Sequence, residues 1–328
     1  TVQLEFLDAG GVPRATRTEV IAPFGLLQLQ RVAPEGAVAM VMTNVAGSAG
    51  RVVAFATPVD RLSGDTWTVA DWRQLNRYAY DEPLVIPIAG SARGANDTYF
   101  RTDVSITNTQ AQASSATLRY RSRDGGTVER SVPVGGRSTA VLNDIVKTLF
   151  GLTTDSLGFV QIIPAAGSKL AVGSRTYTTA TGSAATYGTG VPAMAVSAAM
   201  QAGDLRRLAG IDDAALATIN AAKPATFRSN LALMEVTGQP AIVRVTLRFI
   251  YPSGKATASG VVSKDYFLNG NQFVLNSLTR DILGASRDTI GDLENVVVEI
   301  AVTGGDGRVA FFVSSVDNGT GDTVLRVE

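Results

Sequence analysis

The chain has neither cysteine nor histidine in its 328 residues. Without cysteine there can be no disulfide bond, thiolate metal site or cysteine nucleophile, and without histidine there can be no Ser-His-Asp triad. Catalysis by carboxylates or lysine would still be possible, but the sequence shows no supporting constellation of such groups. We therefore predict that the protein is not an enzyme, has no catalytic residues and needs no cofactor.

The chain also lacks an excess of either charge and any long apolar run. Lysine and arginine together number 29, as do aspartate and glutamate, so the formal net charge is zero. A protein that binds nucleic acid by electrostatics shows a basic excess or stripe. No apolar stretch approaches the ~20 residues of a membrane-spanning helix. We predict neither a nucleic-acid partner nor a membrane span.

What the chain does contain is short alternating segments separated by turn residues. It is 45% hydrophobic and has 33 glycines, and Gly, Asn and Asp recur between the segments. Val104 and Ile106 alternate with polar neighbours, and Leu231 and Leu233 repeat this spacing. Such alternation places one face of a strand in a core and the other in water. The pattern predicts an all-β protein built as sandwiches or barrels.

Two long stretches repeat in order and spacing over roughly ninety residues, which indicates tandem modules. They open with TYFRTDVSITN (98–108) and ATFRSNLALME (225–235). Each continues with a strand pair, a short helical segment and two final strands. The matched ranges are 116–134 and 244–262, 142–152 and 275–287, and 158–178 and 295–318. The segments joining the modules, 68–97 and 188–223, are predicted as connectors, the second with a short helix over 212–223.

The first ninety residues fit the same template with its opening strand absent. Residues 1–22 match the second strand and its hairpin partner, and 36–60 match the final pair. The stretch RVVAFATPVD aligns without gaps to RVAFFVSSVD at 308–317. We predict an incomplete module over 1–82, a second over 83–190, and a connector, third module and C-terminal strand over 191–328.

Three motifs resemble a known group of modules. GANDTYFRTDVSITN, LNDIVKTLFGL and SSVDNGTGDT are similar to tandem Ig-like β-sandwich modules of secreted and surface proteins of environmental bacteria. The resemblance implies three Ig-like sandwiches, the first lacking its N-terminal strand, with short helices in loops and one in a connector. It also implies an extracellular or cell-surface location and a scaffold role, with a surface glycan or the cell envelope as a possible partner. It carries no catalytic residues.

The pattern VD-x-x-x-GD occurs twice and offers paired carboxylates. Such pairs, with loop carbonyls, could hold Ca²⁺, which needs six to eight oxygen ligands. The same residues also suit a hairpin turn. We favour the turn, because the middle module has Thr178 and Ser183 instead. The calcium candidates are Asp60, Asp65, Asp317 and Asp322.

A second acidic group could be proposed for glycosidase-type chemistry. It consists of Asp204, Asp212, Asp213 and Glu235. Nothing in the sequence places these carboxylates across a cleft. Asp212 and Asp213 are better explained as the N-cap and first turn of the connector helix.

The missing strand suggests how subunits could associate. A sandwich without one strand exposes core side chains and an unpaired edge. The last residues, TVLRVE (323–328), alternate as a half-buried strand would. Donation of this tail to the first module of another subunit would join subunits head-to-tail into a filament or surface assembly. The predicted interface residues are Thr1, Val2, Leu4, Phe6, Val324, Leu325 and Val327.

An alternative explains the same gap without self-association. The chain could be a piece of a longer secreted protein, such as a hydrolase or adhesin, in which these modules act as spacers or accessory domains. Both alternatives describe a non-enzymatic protein. They differ in whether the partner of the first module is another copy of the chain.

Overall fold

The computed structural model describes residues 1–48, 50–70, 81–94, 98–179, 184–222, 225–250 and 259–327. Within these residues the chain forms 22 strands, all paired antiparallel, and four short α-helices. The prediction of an all-β protein is confirmed. No helix in the described part of the chain has the length and apolar character needed to cross a membrane.

The N-terminal segment (1–82) contributes a small sheet and a short hairpin. The sheet has the order β2-β1-β3, and β4 pairs with β5. One face of β1 packs Val2, Leu4 and Phe6 against Met42 and Val52 to form a core. The strands are β1 (Val2–Leu7), β2 (Pro13–Glu19), β3 (Ala39–Asn44), β4 (Phe55–Ala56) and β5 (Val69–Ala70).

The central segment (83–190) and the residues just after it form nine strands around one apolar core. The strands are β6 (Leu84–Arg93), β7 (Tyr99–Asn108), β8 (Ser114–Ser122), β9 (Thr127–Val134), β10 (Thr139–Leu142), β11 (Ser156–Pro164), β12 (Leu170–Thr179), β13 (Thr186–Gly190) and β14 (Met194–Ala195). Helix α1 (Ile145–Thr148) lies in the predicted helical stretch 142–152. A 3₁₀ helix follows β14 at Val196–Ala198.

The remainder of the C-terminal segment (191–328) encloses a second core. Its strands are β15 (Leu205–Asp213), β16 (Phe227–Glu235), β17 (Ala241–Ile250), β18 (Ser259–Leu268), β19 (Phe273–Ser277), β20 (Leu293–Gly305), β21 (Val309–Asp317) and β22 (Thr323–Val327). Helix α2 (Leu216–Asn220) lies in the connector, and α3 (Leu278–Leu283) and α4 (Arg287–Ile290) flank a 3₁₀ turn at Gly284–Ser286.

Strand pairing is the same in the central and C-terminal segments. The orders β15-β20-β17-β18 and β19-β16-β21-β22 correspond to β6-β11-β8-β9 and β10-β7-β12-β13. In the central segment, β6 also pairs with the start of β7, and this joins the two sets at one corner. The repeat in the sequence is therefore also a repeat in topology.

The predicted connectors contain more strand than expected. Residues 84–93 form β6 and residues 205–213 form β15, and these are the first strands of their segments. In the sequence, Pro83 and Pro87 favour an extended connector. Pro87 instead lies where the register between β6 and β11 shifts, between the Ile86 and Ala89 pairings. A bulge of this kind tolerates proline because no ladder hydrogen bond is needed there.

The predicted alternation holds for β7 but not for the strands at the middle of the molecule. Val104 and Ile106 are buried, while the residues between them are partly exposed. On β16, by contrast, Leu231 and Leu233 face the C-terminal core, and the intervening Ala232 is buried as well. Strands β11 and β21 are buried on both faces in the same way. Contact between the segments accounts for this second buried face.

The connector helix forms, but its predicted caps are wrong. Helix α2 begins after Ala215, and Asp213 is the last residue of β15. The backbone N–H of Ala215 donates to Asp292 (2.7 Å), and that of Leu216 donates to Asp288 (3.1 Å). Carboxylates remote in sequence therefore satisfy the first turn, a pairing that local sequence rules do not reveal.

Candidate functional site

The two VD-x-x-x-GD stretches fold into the same loop. In the first, Asp60 N–H donates to the Asp65 carbonyl (2.8 Å) and Gly64 N–H to the Asp60 carbonyl (2.9 Å). The Asp60 Oδ1 accepts the N–H groups of Leu62 and Ser63. Gly64 has a φ of 76°, which a glycine adopts at little cost. The carboxylate therefore forms the turn itself.

The second loop repeats these bonds at the equivalent positions. Asp317 N–H donates to the Asp322 carbonyl (2.8 Å), and Gly321 N–H donates to the Asp317 carbonyl (2.9 Å). The Asp317 Oδ1 accepts the N–H groups of Gly319 and Thr320. Gly321 has a φ of 78°. The match fixes the alignment of residues 51–60 with 308–317 independently of sequence.

The remaining oxygen of each leading aspartate has a different partner. Asp317 Oδ2 accepts the N–H of Ala225 (2.7 Å), just before β16 of the same segment. Asp60 Oδ2 accepts the N–H of Thr186 (3.2 Å) and also its hydroxyl. Thr186 is the first residue of β13 in the central segment. The first loop thus docks onto another segment, whereas the second closes its own.

Asp65 and Trp67 complete this docking contact. Asp65 Oδ2 accepts Gly188 N–H (2.8 Å) and the Arg175 Nη2 (3.0 Å). The Arg175 guanidinium lies 3.8 Å from the centre of the Trp67 ring. A stacked, ion-paired arginine at a partly buried site is a specific contact that lysine could not reproduce. The other aromatic residues of the first connector, Trp72, Tyr78 and Tyr80, cluster with Trp67 in the sequence and lie outside the described residues.

The hydrogen bonds that Asp60 accepts keep it ionised. They come first from Thr186 and then from Ser63 and Leu62, and they hold the pKa of Asp60 well below its ordinary value of 3.8. Each of these groups donates an N–H or O–H hydrogen bond to the carboxylate, and the positively polarised hydrogen stabilises the ionised form. Among the described residues, no group of three or more Asp, Glu, His or Cys side chains could hold a metal ion. The geometry supports the turn that we favoured for Asp60, Asp65, Asp317 and Asp322, and calcium binding at these residues stays an untested alternative.

The four carboxylates considered for hydrolysis serve separate structural contacts. Asp204 accepts the N–H of Gln201, and Asp212 accepts that of Asn295. Glu235 accepts four backbone N–H groups, from Thr237, Gly238, Asn271 and Arg308. Asp213 is buried against Arg287, with Nη2 to Oδ1 at 2.9 Å.

Three of the four predicted interface residues at the N-terminus lie within the core of their own segment, and Thr1 is exposed. Val2, Leu4 and Phe6 are buried there. The Thr1 ammonium donates to the Ser48 hydroxyl (3.1 Å). These contacts place the residues inside the subunit, and their part in an interface between subunits stays a prediction.

The predicted donor residues pair within the same chain. Strand β22 runs antiparallel to β21, in the position that β13 has beside β12. Leu325 contacts both the central core and the apolar residues between the two segments, and Val327 contacts the latter. Val324 points outward and is exposed. The tail that the sequence presents as spare is thus the last strand of the C-terminal segment, and its donation to another subunit stays a prediction.

An apolar layer, which the predicted alternation of strand residues did not reveal, joins the central and C-terminal segments. We call it the inter-segment layer. It is centred on Phe159 and Phe273, whose ring centres are 6.2 Å apart. Gln161 crosses it, with Nε2 donating to the Val236 carbonyl (2.7 Å). The layer consists of Val85, Phe159, Ala199, Ala232, Met234, Val236, Phe273, Ala310 and Phe312.

This layer could have been suspected from one feature. The run VAFFV (309–313) is apolar at every position, and FVQII (159–163) is apolar at every position except Gln161. Continuous apolar runs are typical of strands that are buried on both faces. The runs do not reveal what lies on the second face, because that depends on residues far away in the chain.

No protein-family model matches the chain, and no curated protein is similar to it.

Proposed function

We propose that the protein is a non-enzymatic structural scaffold in which Ig-like β-sandwich modules stack into a stiff unit. The observation that carries this proposal is the inter-segment layer, which buries nine side chains between the central and C-terminal segments. Flexible tandem modules are joined by exposed, polar linkers with few contacts across them. The layer is buried and apolar and is crossed by the Gln161 amide, as in a protein core, so we expect it to resist hinge motion between the two segments.

The loop of residues 60–67, which we call the docking loop, supports the same proposal through its contact with the central segment. Asp60, Asp65 and Trp67 engage β13 and Arg175 through hydrogen bonds and stacking. Each of the three segments is then held against its neighbour by specific contacts. The resemblance to surface-protein modules supports an extracellular or cell-surface location, with the cell envelope or a surface glycan as a partner.

Small-angle scattering of two matched variants tests the scaffold. Phe312 is 1% exposed in the layer, and Phe55, at the equivalent position of the N-terminal segment, is 64% exposed. Phe312→Asp places a charge in the layer, so we expect a larger radius of gyration and two unfolding transitions instead of one for the joined segments. Phe55→Asp should leave both measurements unchanged. A Phe312→Asp protein with the scattering and melting curve of the parent would refute the proposal.

Head-to-tail assembly by strand donation is the second candidate. Its support is that β4 spans two residues and pairs only with β5 among the described strands, whereas β12 and β21 are long and have a strand on each side. The donor would have to leave β21, as in domain swapping. Electron microscopy of the full chain and of a chain lacking residues 323–328 tests this. Fibres that persist without the tail would exclude it as the donor.

A further inference from the structure

In each segment, the strand equivalent to β21 has one face toward the segment's own core and one outer face, and the outer face can be compared between segments. On β21, Val309 and Phe311 point into the C-terminal core, and Ala310 and Phe312 point into the inter-segment layer. The layer side of β21 is the outer face of its own segment. It is covered by Val85 and Phe159 from the central segment.

Within the described residues, the N-terminal segment presents the same face uncovered. By the alignment that the shared loop fixes, Val53 and Phe55 correspond to Ala310 and Phe312. Val52 packs into the segment's own core, as Val309 does. Val53 is 73% exposed and Phe55 is 64% exposed, against 0% and 1% for Ala310 and Phe312. Exposed apolar side chains at positions that are buried elsewhere in the same chain mark an interaction surface.

The outer face of β21 is covered by a surface of the central segment, and the residues of that surface can be named. Val85 on β6 lies opposite Gln161 on β11, and Phe159 lies two residues before Gln161 on the same side of the strand. Val160 and Ile162 point the other way, into the central core. The covering surface is thus a β-sheet face with valine, glutamine and phenylalanine on its two neighbouring strands.

The equivalent surface of the C-terminal segment is charged. Arg207 on β15 lies opposite Glu299 on β20, in the positions of Val85 and Gln161. Glu299 accepts from Arg207 Nε (2.7 Å) and pairs with Arg248 Nε (3.0 Å). An ion-paired face does not complement an apolar one, since the charges would lose water without gaining partners. In stacked repeats, a terminal unit with a polar outer face closes the array.

We propose that Val53 and Phe55 form a docking face for the sheet face of a further β-sandwich module of the Val85, Phe159 and Gln161 type. The partner is not the C-terminal segment of a second copy, because the ion pair of Arg207 and Glu299 closes that end. The stack is directional, with an open end at the N-terminal segment and a closed end at the C-terminal one. This inference rests on the proposed scaffold function and names the partner that the scaffold accepts.

The test converts the closed end into a copy of the covering surface in the full chain. The variant Arg207→Val with Glu299→Gln and Val297→Phe reproduces Val85, Gln161 and Phe159 at their equivalent positions. We expect the parent to be monomeric by light scattering. The triple variant should show a concentration-dependent mass at least twice that of the parent, through contact between its new face and the Val53–Phe55 face of another copy.

Two further variants identify the contact. Adding Phe55→Asp should return the triple variant to the monomer mass. The control Phe24→Asp, at another exposed phenylalanine of the N-terminal segment, should not. A folded triple variant that stays monomeric, or oligomers that survive Phe55→Asp, would overturn the inference. Oligomers of the parent that Phe55→Asp abolishes would overturn it as well, since the partner would then be a second copy.

Folding of the triple variant is checked by circular dichroism. If it fails to fold, the double variant Arg207→Val with Glu299→Gln is judged by the same criteria. The two proposals can fail separately. A monomeric triple variant with a single unfolding transition for the joined segments refutes only the docking face. A Phe312→Asp protein that behaves as the parent refutes the scaffold.

Discussion

Asp213 and Arg287 form the most buried of the ion pairs in the described residues. Their side chains are 2% and 1% exposed. Asp213 also accepts from the Thr279 hydroxyl (2.6 Å) and the Ser229 N–H (2.8 Å), and the Arg287 Nη1 donates to the Gly291 carbonyl (2.6 Å). Burial raises the pKa of Asp213, and the bonds from Thr279 and Arg287 oppose this. The pair ties α4 to the end of β15.

Replacement of Arg287 by methionine should therefore destabilise the protein strongly. The change leaves Asp213 buried without its cation, at a cost of about 3–5 kcal/mol in the free energy of unfolding. The measurement is the urea midpoint. Arg244→Met, at an exposed pair with Asp265, is the matched control and should shift the urea midpoint far less, because solvent screens an exposed pair. Equal effects of the two changes would show that the buried pair has no special weight.

A single substitution in the docking loop tests whether Asp60 holds the loop on β13. Asp60→Asn places an amide against the N–H and hydroxyl donors of Thr186, and the turn keeps its Oδ1 contacts. We expect the Thr186 amide to exchange with solvent about tenfold faster. Asp317→Asn should instead speed up exchange at Ala225. Unchanged exchange at Thr186 would mean that Asp60 does not hold the loop on β13.

Acid should release the same contact. The pKa of Asp60 is lowered in the folded protein, so its contribution to docking is complete above the ordinary pKa of 3.8 and is lost as pH falls further, toward the folded pKa. The NMR shift of the Thr186 amide should therefore stay constant through about pH 4 and change only well below it, as Asp60 is protonated in the folded protein. Asp60→Asn should abolish this change. A transition near neutral pH would assign the effect to another group.

At the scale of the element, β22 shows how neighbours decide the role of a strand. Its alternating sequence predicts a half-buried strand, and the structure has one. Leu325 contacts two apolar clusters, and Val324 faces solvent. The sequence could not show that the partner is β21 of the same chain, because strand pairing is a contact between separate segments.

Leu325→Ala should accordingly destabilise the joined segments. A partly buried leucine that loses its contacts costs about 2 kcal/mol, at the lower end of the range for core positions. The measurement is the thermal midpoint. Val324→Ala on the same strand is the control, and it should shift the midpoint little because the side chain is exposed. A larger effect at Val324 would mean that another molecule covers the outer side of β22.

For the whole molecule, the number of buried strand faces should set the order of local stability. Strands β11 and β21 are buried on both faces, whereas β2 and β3 of the N-terminal segment are largely exposed. Hydrogen exchange followed by mass spectrometry should therefore find the slowest exchange in β11 and β21 and the fastest in the N-terminal sheet. Equal protection throughout would contradict a stack with one open end.

The sequence alone determined the features that depend on neighbouring residues. Alternation along β7 sets the strand class, because side chains alternate between faces within any strand. The loop from Asp60 to Asp65 and its repeat could be predicted as turns, since their bonds join residues at most five positions apart. The repeat order followed from matched spacing. None of these requires knowledge of a distant contact.

Only the tertiary structure decided which outer faces are covered. Phe55 and Phe312 occupy equivalent positions in similar sequences, yet one is exposed and the other lies in the inter-segment layer. Asp60 and Asp317 form the same turn, yet their second oxygens bind different segments. Burial and docking depend on which residues from elsewhere in the chain make contact. The local sequence pattern does not determine those contacts.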